Sequence, residues 1–257
     1  MLTLDRNLLH RFGLLLVILF VGLALSLLTD TFLSVANFTN VARQISINGI
    51  LADGVAFVLL TGGVDLSLGS VVALSGVACA TFAHPGDHSV FVPIAVGLLT
   101  GAACGLVNGT LVTLGGVAPF IVTLGMMTIA RGLALIFSGG RPVADMSNEL
   151  TALAGDFFGI PIPMLCFAGV AAAAWFFLSN FRLGRHIYAV GGNENAARAA
   201  GVPVEQVKLF AYGLCGLLAG LAGVVLAARI TTGQPNAGQA YELDAIAAVV
   251  IGGTSLA

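Results

Sequence analysis

Residues 90–130 read VFVPIAVGLLTGAACGLVNGTLVTLGGVAPFIVTLGMMTIA, 41 residues without one Asp, Glu, Lys or Arg. A helix needs about 20 apolar residues to cross the hydrocarbon of a bilayer. The run therefore holds one membrane span and most of a second. Gly115, Gly116, Ala118 and Pro119 break it in the middle, and such a Gly/Pro cluster turns a chain at the bilayer surface. The apolar residues are continuous instead of alternating with period two, which excludes the strands of a β-barrel.

Working outward, charge is also absent from Leu66 to Gly86, from Phe157 to Phe181 and from Leu209 to Ala228. The whole chain of 257 residues is 58% hydrophobic and 9% charged, against about 25% charged in an ordinary soluble domain. The fold class that follows is all-α, a polytopic transmembrane helical bundle. Spans thread at roughly 13–29, 42–62, 67–83, 90–114, 117–137, 161–179 and 208–228. With these spans, Arg6 and Arg11 share a side with Arg182, Arg185, Arg198 and Lys208, while Asp30, Asp87, Asp145, Glu149 and Asp156 fall opposite. Lys and Arg mark the cytoplasmic side, so the N-terminus is expected there. No small-x-small cleavage site follows the first apolar run, which is read as a retained span and not a removed signal. Cys79, Cys104, Cys166 and Cys215 all sit in apolar runs without metal or disulfide spacing. No basic face interleaved with aromatics suggests nucleic-acid binding.

Glycine, present 34 times, falls in stripes. Gly97, Gly101, Gly105 and Gly109 recur every fourth residue; Gly213, Gly216, Gly220 and Gly223 follow one helix face; Gly69, Ala73, Gly76 and Ala80 make a third stripe. Small residues let helix backbones approach where lipid provides no hydrophobic drive for association, so these are Gly-rich packing faces. AFVLLTGGVDLSLGS (Ala56–Ser70) loosely matches AAVVIGGTSLA (Ala247–Ala257), Gly-Gly on Gly-Gly. That match is expected of transporters made of repeated halves, and also arises by chance in a Gly-rich chain.

Several polar residues interrupt the apolar runs. In Thr61–Gly69, TGGVDLSLG, Asp65 or Ser67 can cap the next helix; alternatively the segment is a broken helix lining a polar passage. Asn48 and Asn108 lie inside spans and offer uncharged donors and acceptors suited to a polyol, or bond a neighbouring helix. Asn48, Asp65, Ser67 and Asn108 are the candidate passage residues. Arg131 is read as snorkelling to the interface. Asp53, an acid near the centre of a span, favours a proton-coupled carrier, because such a group normally faces a cavity or a partner. No nucleotide-binding loop, HExxH or other enzymatic constellation is present.

The one long polar interruption is RLGRHIYAVGGNENAARAAGVPVEQVK, Arg182–Lys208. Within it Asn193 can cap a short helix, Glu194 suits its first turn, Arg198 follows at i+4, and Gly201 with Pro203 stops it. So short a helix is marginal alone and is expected to dock onto something.

GGVDLSLGS, RLGRHIYAVGGNENAARAAGV and QPNAGQAYELDAIAAVVIGGTSLA closely resemble the membrane permease of bacterial ABC importers for simple sugars, the ribose-type branch in particular, and the similarity runs from Phe32 onward. The resemblance implies a homodimeric permease in the bacterial inner membrane, two copies of a cytoplasmic ABC ATPase and a periplasmic sugar-binding protein. It places Gly192, Asn193, Glu194, Ala197, Arg198 and Gly201 in the cytoplasmic coupling helix and loop that meet the ATPase. This chain would be non-catalytic and bind no cofactor, with ATP and Mg on the partner. Family members continue past the Gly-Gly-Thr-Ser-Leu-Ala block, so residues 1–257 are expected to be one transmembrane permease domain lacking its C-terminal spans. Asp53 departs from the pattern, which is usually apolar there. The expected function is the translocation subunit of an ATP-driven importer of ribose or another pentose. The alternatives are a branched-chain amino-acid permease and a proton-coupled carrier using Asp53.

Overall fold

The structure is a computed structural model and describes residues 6–254. Two compact units divide at Ala42 and Arg43. The first contains α1 (Arg6–Leu28) and the start of α2 (Val35–Leu60). Ser34 Oγ accepts from the Asn37 amide at 3.2 Å and Asn37 Nδ2 donates to Phe32 O at 2.8 Å, which fixes the entry into α2.

The second unit carries the rest of α2, then α3 (Leu68–Thr81), α4 (Phe91–Thr113), α5 (Pro119–Phe137), α6 (Asn148–Thr151), a two-stranded hairpin of β1 (Asp156–Phe157) and β2 (Ile160–Pro161), α7 (Ile162–Asn180), α8 (Arg182–Gly192), α9 (Glu194–Ala199), α10 (Val204–Ile230) and α11 (Tyr241–Ile251). Helices α2, α4, α5, α7 and α10 are long and apolar enough to cross a membrane. The all-α reading holds. Pro119 at the start of α5 and Pro163 in the first turn of α7 occupy positions where no intrahelical donor is lost.

Helix α3 corrects the span expected at 67–83. Its 14 residues rise about 21 Å, short of the roughly 30 Å of hydrocarbon. It is buried nearly all round, as an apolar helix without a polar face must be, and is entered through the non-helical residues 63–67.

The glycine stripes meet one another. A Cβ on Gly101 would overlap the Gly216 carbonyl oxygen, and one on Gly216 would overlap that of Gly101; Gly105 stands equally close to the Tyr212 carbonyl. These contacts join α4 to α10. On the next face of α10, a Gly223 Cβ would lie 2.6 Å from Val72 O, and a Gly76 Cβ 3.2 Å from Gly223 O, joining α10 to α3. Three helices thus pack backbone to backbone, the contact that small residues permit in lipid.

Helices α2 and α11 end in the same kind of turn, one residue out of register with the Gly-Gly match of the sequence. Helix α2 closes through Gly62 at φ 75° with Gly63 N donating to Val58 O; α11 closes through Gly253 at φ 105° with Thr254 N donating to Val249 O. Gly62 therefore corresponds to Gly253 and not to Gly252, and the same register sets Asp53 against Asp244.

Candidate functional site

The polar segment after α7 is more ordered than its composition suggested. Phe181 is extended, and α8 then runs to Gly192 with Gly184, Ile187 and Val190 buried. Gly191 lies so close to the Leu60 carbonyl that a Cβ would overlap it, which seats α8 against the end of α2. Asn193, at φ −163° and ψ 104°, ends α8 and caps α9, its side chain accepting from Ala196 N at 2.9 Å. Ala197 is the buried residue of α9. Gly201 at φ 83° closes it, with Val202 N donating to Ala197 O at 3.0 Å.

The charges of α9 turn back onto the chain. Lys208 Nζ donates to Glu194 Oε2 at 2.6 Å, Arg198 Nη2 reaches Glu194 Oε1 at 3.3 Å, and Arg198 Nη1 pairs with Glu205. The Lys208 hydrogen bond holds the Glu194 carboxyl below its ordinary range, the Arg198 hydrogen bond does the same for Glu205, and Glu205 in turn raises Arg198. What α9 leaves exposed beyond these pairs is Asn195, Ala196, Ala199 and Ala200, a small and uncharged surface.

The candidate passage residues divide. Asp65 Oδ1 accepts from Ser67 N at 2.8 Å and from Ser67 Oγ at 2.6 Å, while Asn108 Nδ2 donates to Ser67 Oγ at 3.0 Å. Asp65, Ser67 and Asn108 are 1%, 1% and 0% exposed. Ser67 thus joins Asp65 to Asn108 inside the protein, where the break between α2 and α3 packs against α4, while Asn108 Oδ1 is buried with no hydrogen-bond partner among the described residues. Tyr212 Oη, donating to Val64 O at 3.2 Å, closes the same break from α10. Ser67 occupies the N-cap position of α3 without a side-chain cap bond. Asn48 sits on α2 outside this cluster, half-buried. Asp53, also on α2, has a buried Oδ2 with no hydrogen-bond partner among the described residues. Arg43 does not serve it, since its guanidinium binds both oxygens of Asp156 at 2.8 and 2.9 Å.

Arg131 corrects a second expectation. It does not snorkel: Nη1 donates to Pro235 O at 2.6 Å and to Ala237 O at 2.7 Å, holding the non-helical segment between α10 and α11. Beside it opens a cavity of about 520 Å³ lined by Ser70, Thr128, Arg131, Gln239 and Glu242 together with aliphatic side chains. Sequence reasoning missed this cluster. Its signal was the run QAYELD, residues 239–244, in which a glutamine and two acids stand beside apolar helix residues. A separate apolar cavity, about 230 Å³, is lined by Phe57, Phe177 and Phe210 among others and has almost no polar surface.

Residues 37–257 match the family described as branched-chain amino acid transport system / permease component. The chain belongs to this permease family. It is 45% identical over 237 residues to the ribose import permease of Escherichia coli strain K12, covering 90% of this chain and 74% of that protein. The ribose import permease of Bacillus subtilis strain 168 is 43% identical over 234 residues, 90% of this chain and 72% of the relative. The L-arabinose transport permease of Escherichia coli K12 is 38% identical over 247 residues, 96% and 75%. No solved structure matches.

Proposed function

We propose that this permease is the translocation subunit of an ATP-driven importer for a neutral monosaccharide, ribose or another pentose, in a bacterial inner membrane with its N-terminus in the cytoplasm. The observation that carries the reading is the likeness, over nine-tenths of the chain, to permeases named for ribose. Relatives named for allose and arabinose extend it. They disfavour the branched-chain amino-acid reading that the family description by itself would suggest.

In this reading Gly192, Asn193, Glu194, Ala197, Arg198 and Gly201 form the coupling element. Gly192 and Asn193 make the turn, Asn193 and Gly201 fix the two ends of α9, and Ala197 seats it. Glu194 and Arg198 fasten it to α10, and the exposed alanine face meets a cytoplasmic ABC ATPase. ATP and Mg are handled by that partner. A rigid α9 on α10 transmits motion of the ATPase directly to the helix that packs against α4 and α3, since conformational coupling needs a contiguous packed element. A second permease copy and a periplasmic sugar-binding protein complete the importer. Asp65, Ser67 and Asn108 hold the α2–α3 break in shape.

The test is ATP hydrolysis by the permease and its ATPase in lipid nanodiscs. Ribose-loaded binding protein should stimulate hydrolysis more than the ribose-free form. Equal rates with both forms would contradict the reading.

A further inference from the structure

We infer that the cavity of Ser70, Thr128, Arg131, Gln239 and Glu242 is the place where the transported sugar contacts this chain on its way through the membrane, an inference that rests on the proposed sugar-import function. The first ground is the position. Arg131 lies six residues before the end of α5, about 9 Å along the helix axis, and α5 is long and apolar enough to cross a membrane. At such a depth a guanidinium, a carboxylate and a primary amide cannot face lipid without large cost; they face a partner or a wet cavity. Thr128 and Gln239 are exposed, so the polar lining is open to whatever lies beside it.

The second ground is chemistry. Arg131 and Glu242 have opposite charges and line one cavity, so the site is close to neutral. Two protons of Arg131 are already given to Pro235 O and Ala237 O. What remains is a mixed set of donors and acceptors: the rest of the guanidinium, the Glu242 carboxylate, the Gln239 amide, and the Ser70 and Thr128 hydroxyls. Such a set matches a ring of hydroxyl groups, each both donor and acceptor. A volume of about 520 Å³ falls within the ordinary range of ligand pockets, about 300–1,000 Å³.

The third ground is the way the wall is held. Residues 231–240 are non-helical and end at Ala240, φ 65°. Their backbone is fixed by Arg131 on one side, by close approach of Gly238 to Gly69 on another, and by paired hydrogen bonds between Val143 and Gly233, 2.8 and 3.0 Å. Irregular backbone at membrane depth is tolerated where it is buried in protein or lines a water-filled cavity, and here it brings Gln239 to one, with Glu242 following in the first turn of α11. Arg131 thus positions the wall as well as offering its remaining N–H groups, and Gln239 and Glu242 are the contacts that can be altered without releasing the wall.

The experiment uses the complete importer in proteoliposomes, with D-ribose as the probe and L-leucine as a control. Gln239→Ala and Glu242→Gln should each lower ribose moved per ATP hydrolysed by about tenfold, because a site that hydrogen-bonds hydroxyls discriminates strongly once a partner is removed. Stimulation of ATP hydrolysis by ribose-loaded binding protein should persist, which separates a passage defect from a folding or docking defect. In a protein freed of its four cysteines, Thr128→Cys should react with a hydrophilic thiol reagent, and the reaction should block uptake. Unchanged ribose-to-ATP ratios in both variants, or a cysteine at 128 that stays unreactive, would overturn the inference while leaving the importer reading intact. Uptake of leucine and not ribose by the unaltered importer would instead overturn the importer reading itself.

Discussion

Lys208 Nζ stands 2.6 Å from Glu194 Oε2 and ties the first turn of α9 to the first turns of α10, fourteen residues further along the chain. The pair is more sheltered on the lysine side, 20% against 42% exposed. With Arg198 bridging Glu194 and Glu205, α9 is fastened to the start of α10 by three ion pairs.

Disrupting that fastening should loosen α9 without affecting membrane insertion. Lys208→Met removes one tie, and Arg198→Glu sets a third acid beside Glu194 and Glu205. A nitroxide placed at Ala199→Cys should become more mobile in both variants, and recovery of the ATPase in a pull-down should fall. By contrast, Ala196→Trp on the exposed face should reduce ATPase recovery with no change in nitroxide mobility. Full recovery with Ala196→Trp would remove the docking role of that face.

The same pairs set a pH dependence. Glu194 and Glu205 have carboxyls held below their ordinary value of 4.5, so their ties contribute fully above that value and are lost as pH falls through the lower folded values. Nitroxide mobility at residue 199 should stay constant from neutral pH to about 5 and rise below 4.5. A rise beginning near neutrality would show that a different group controls the loop.

Gly105→Leu should destabilise the bundle, since even a Cβ at this position would overlap the Tyr212 carbonyl and the Gly216 backbone. Overpacking a tight contact costs about 1–3 kcal/mol or more. Val107→Leu, two residues along and half exposed on the outside of α4, should be nearly neutral. Thermal unfolding in detergent compares the two, and equal melting temperatures would contradict the packing of α4 on α10.

These glycine faces were readable in the sequence because their spacing of three and four is local information. So were the N-cap at Asn193, the i,i+4 pair of Glu194 and Arg198, and the stop at Gly201. Helix α8 was not, because its glycines lower helix propensity, and the reasons for Gly184 and Gly191 lie in the carbonyls of Leu178 and Leu60. Arg131 was misplaced for the same reason: its acceptors are 104 and 106 residues away. Asp65 and Ser67 were legible as polar residues at the entry to α3, but the sequence could not show that Asn108, 41 residues further on and on α4, would donate to Ser67 Oγ and bury the three together.

That buried cluster gives a separate prediction. Ser67→Ala takes the hydroxyl from Asp65 Oδ1, which keeps the residue 67 amide, and leaves Asn108 Nδ2 without its acceptor in a buried site, and an unsatisfied buried polar group costs about 1–3 kcal/mol. The melting temperature should drop, and a cysteine at residue 67 should stay unlabelled by hydrophilic thiol reagents whatever the state of the ATPase. Labelling in any state would return Ser67 to the passage.

The energy source separates an importer coupled through α9 from a carrier that titrates Asp53 during its cycle. The direct measurement is radiolabelled ribose uptake into proteoliposomes holding the permease, its ATPase and its binding protein, with ATP or a pH gradient imposed separately, for the unaltered chain and for Asp53→Asn. ATP alone should drive accumulation, the gradient alone should not, and Asp53→Asn should remain active, because an ATP-driven permease needs no titrating acid at that position. Accumulation driven by the gradient alone and abolished by Asp53→Asn would contradict the account.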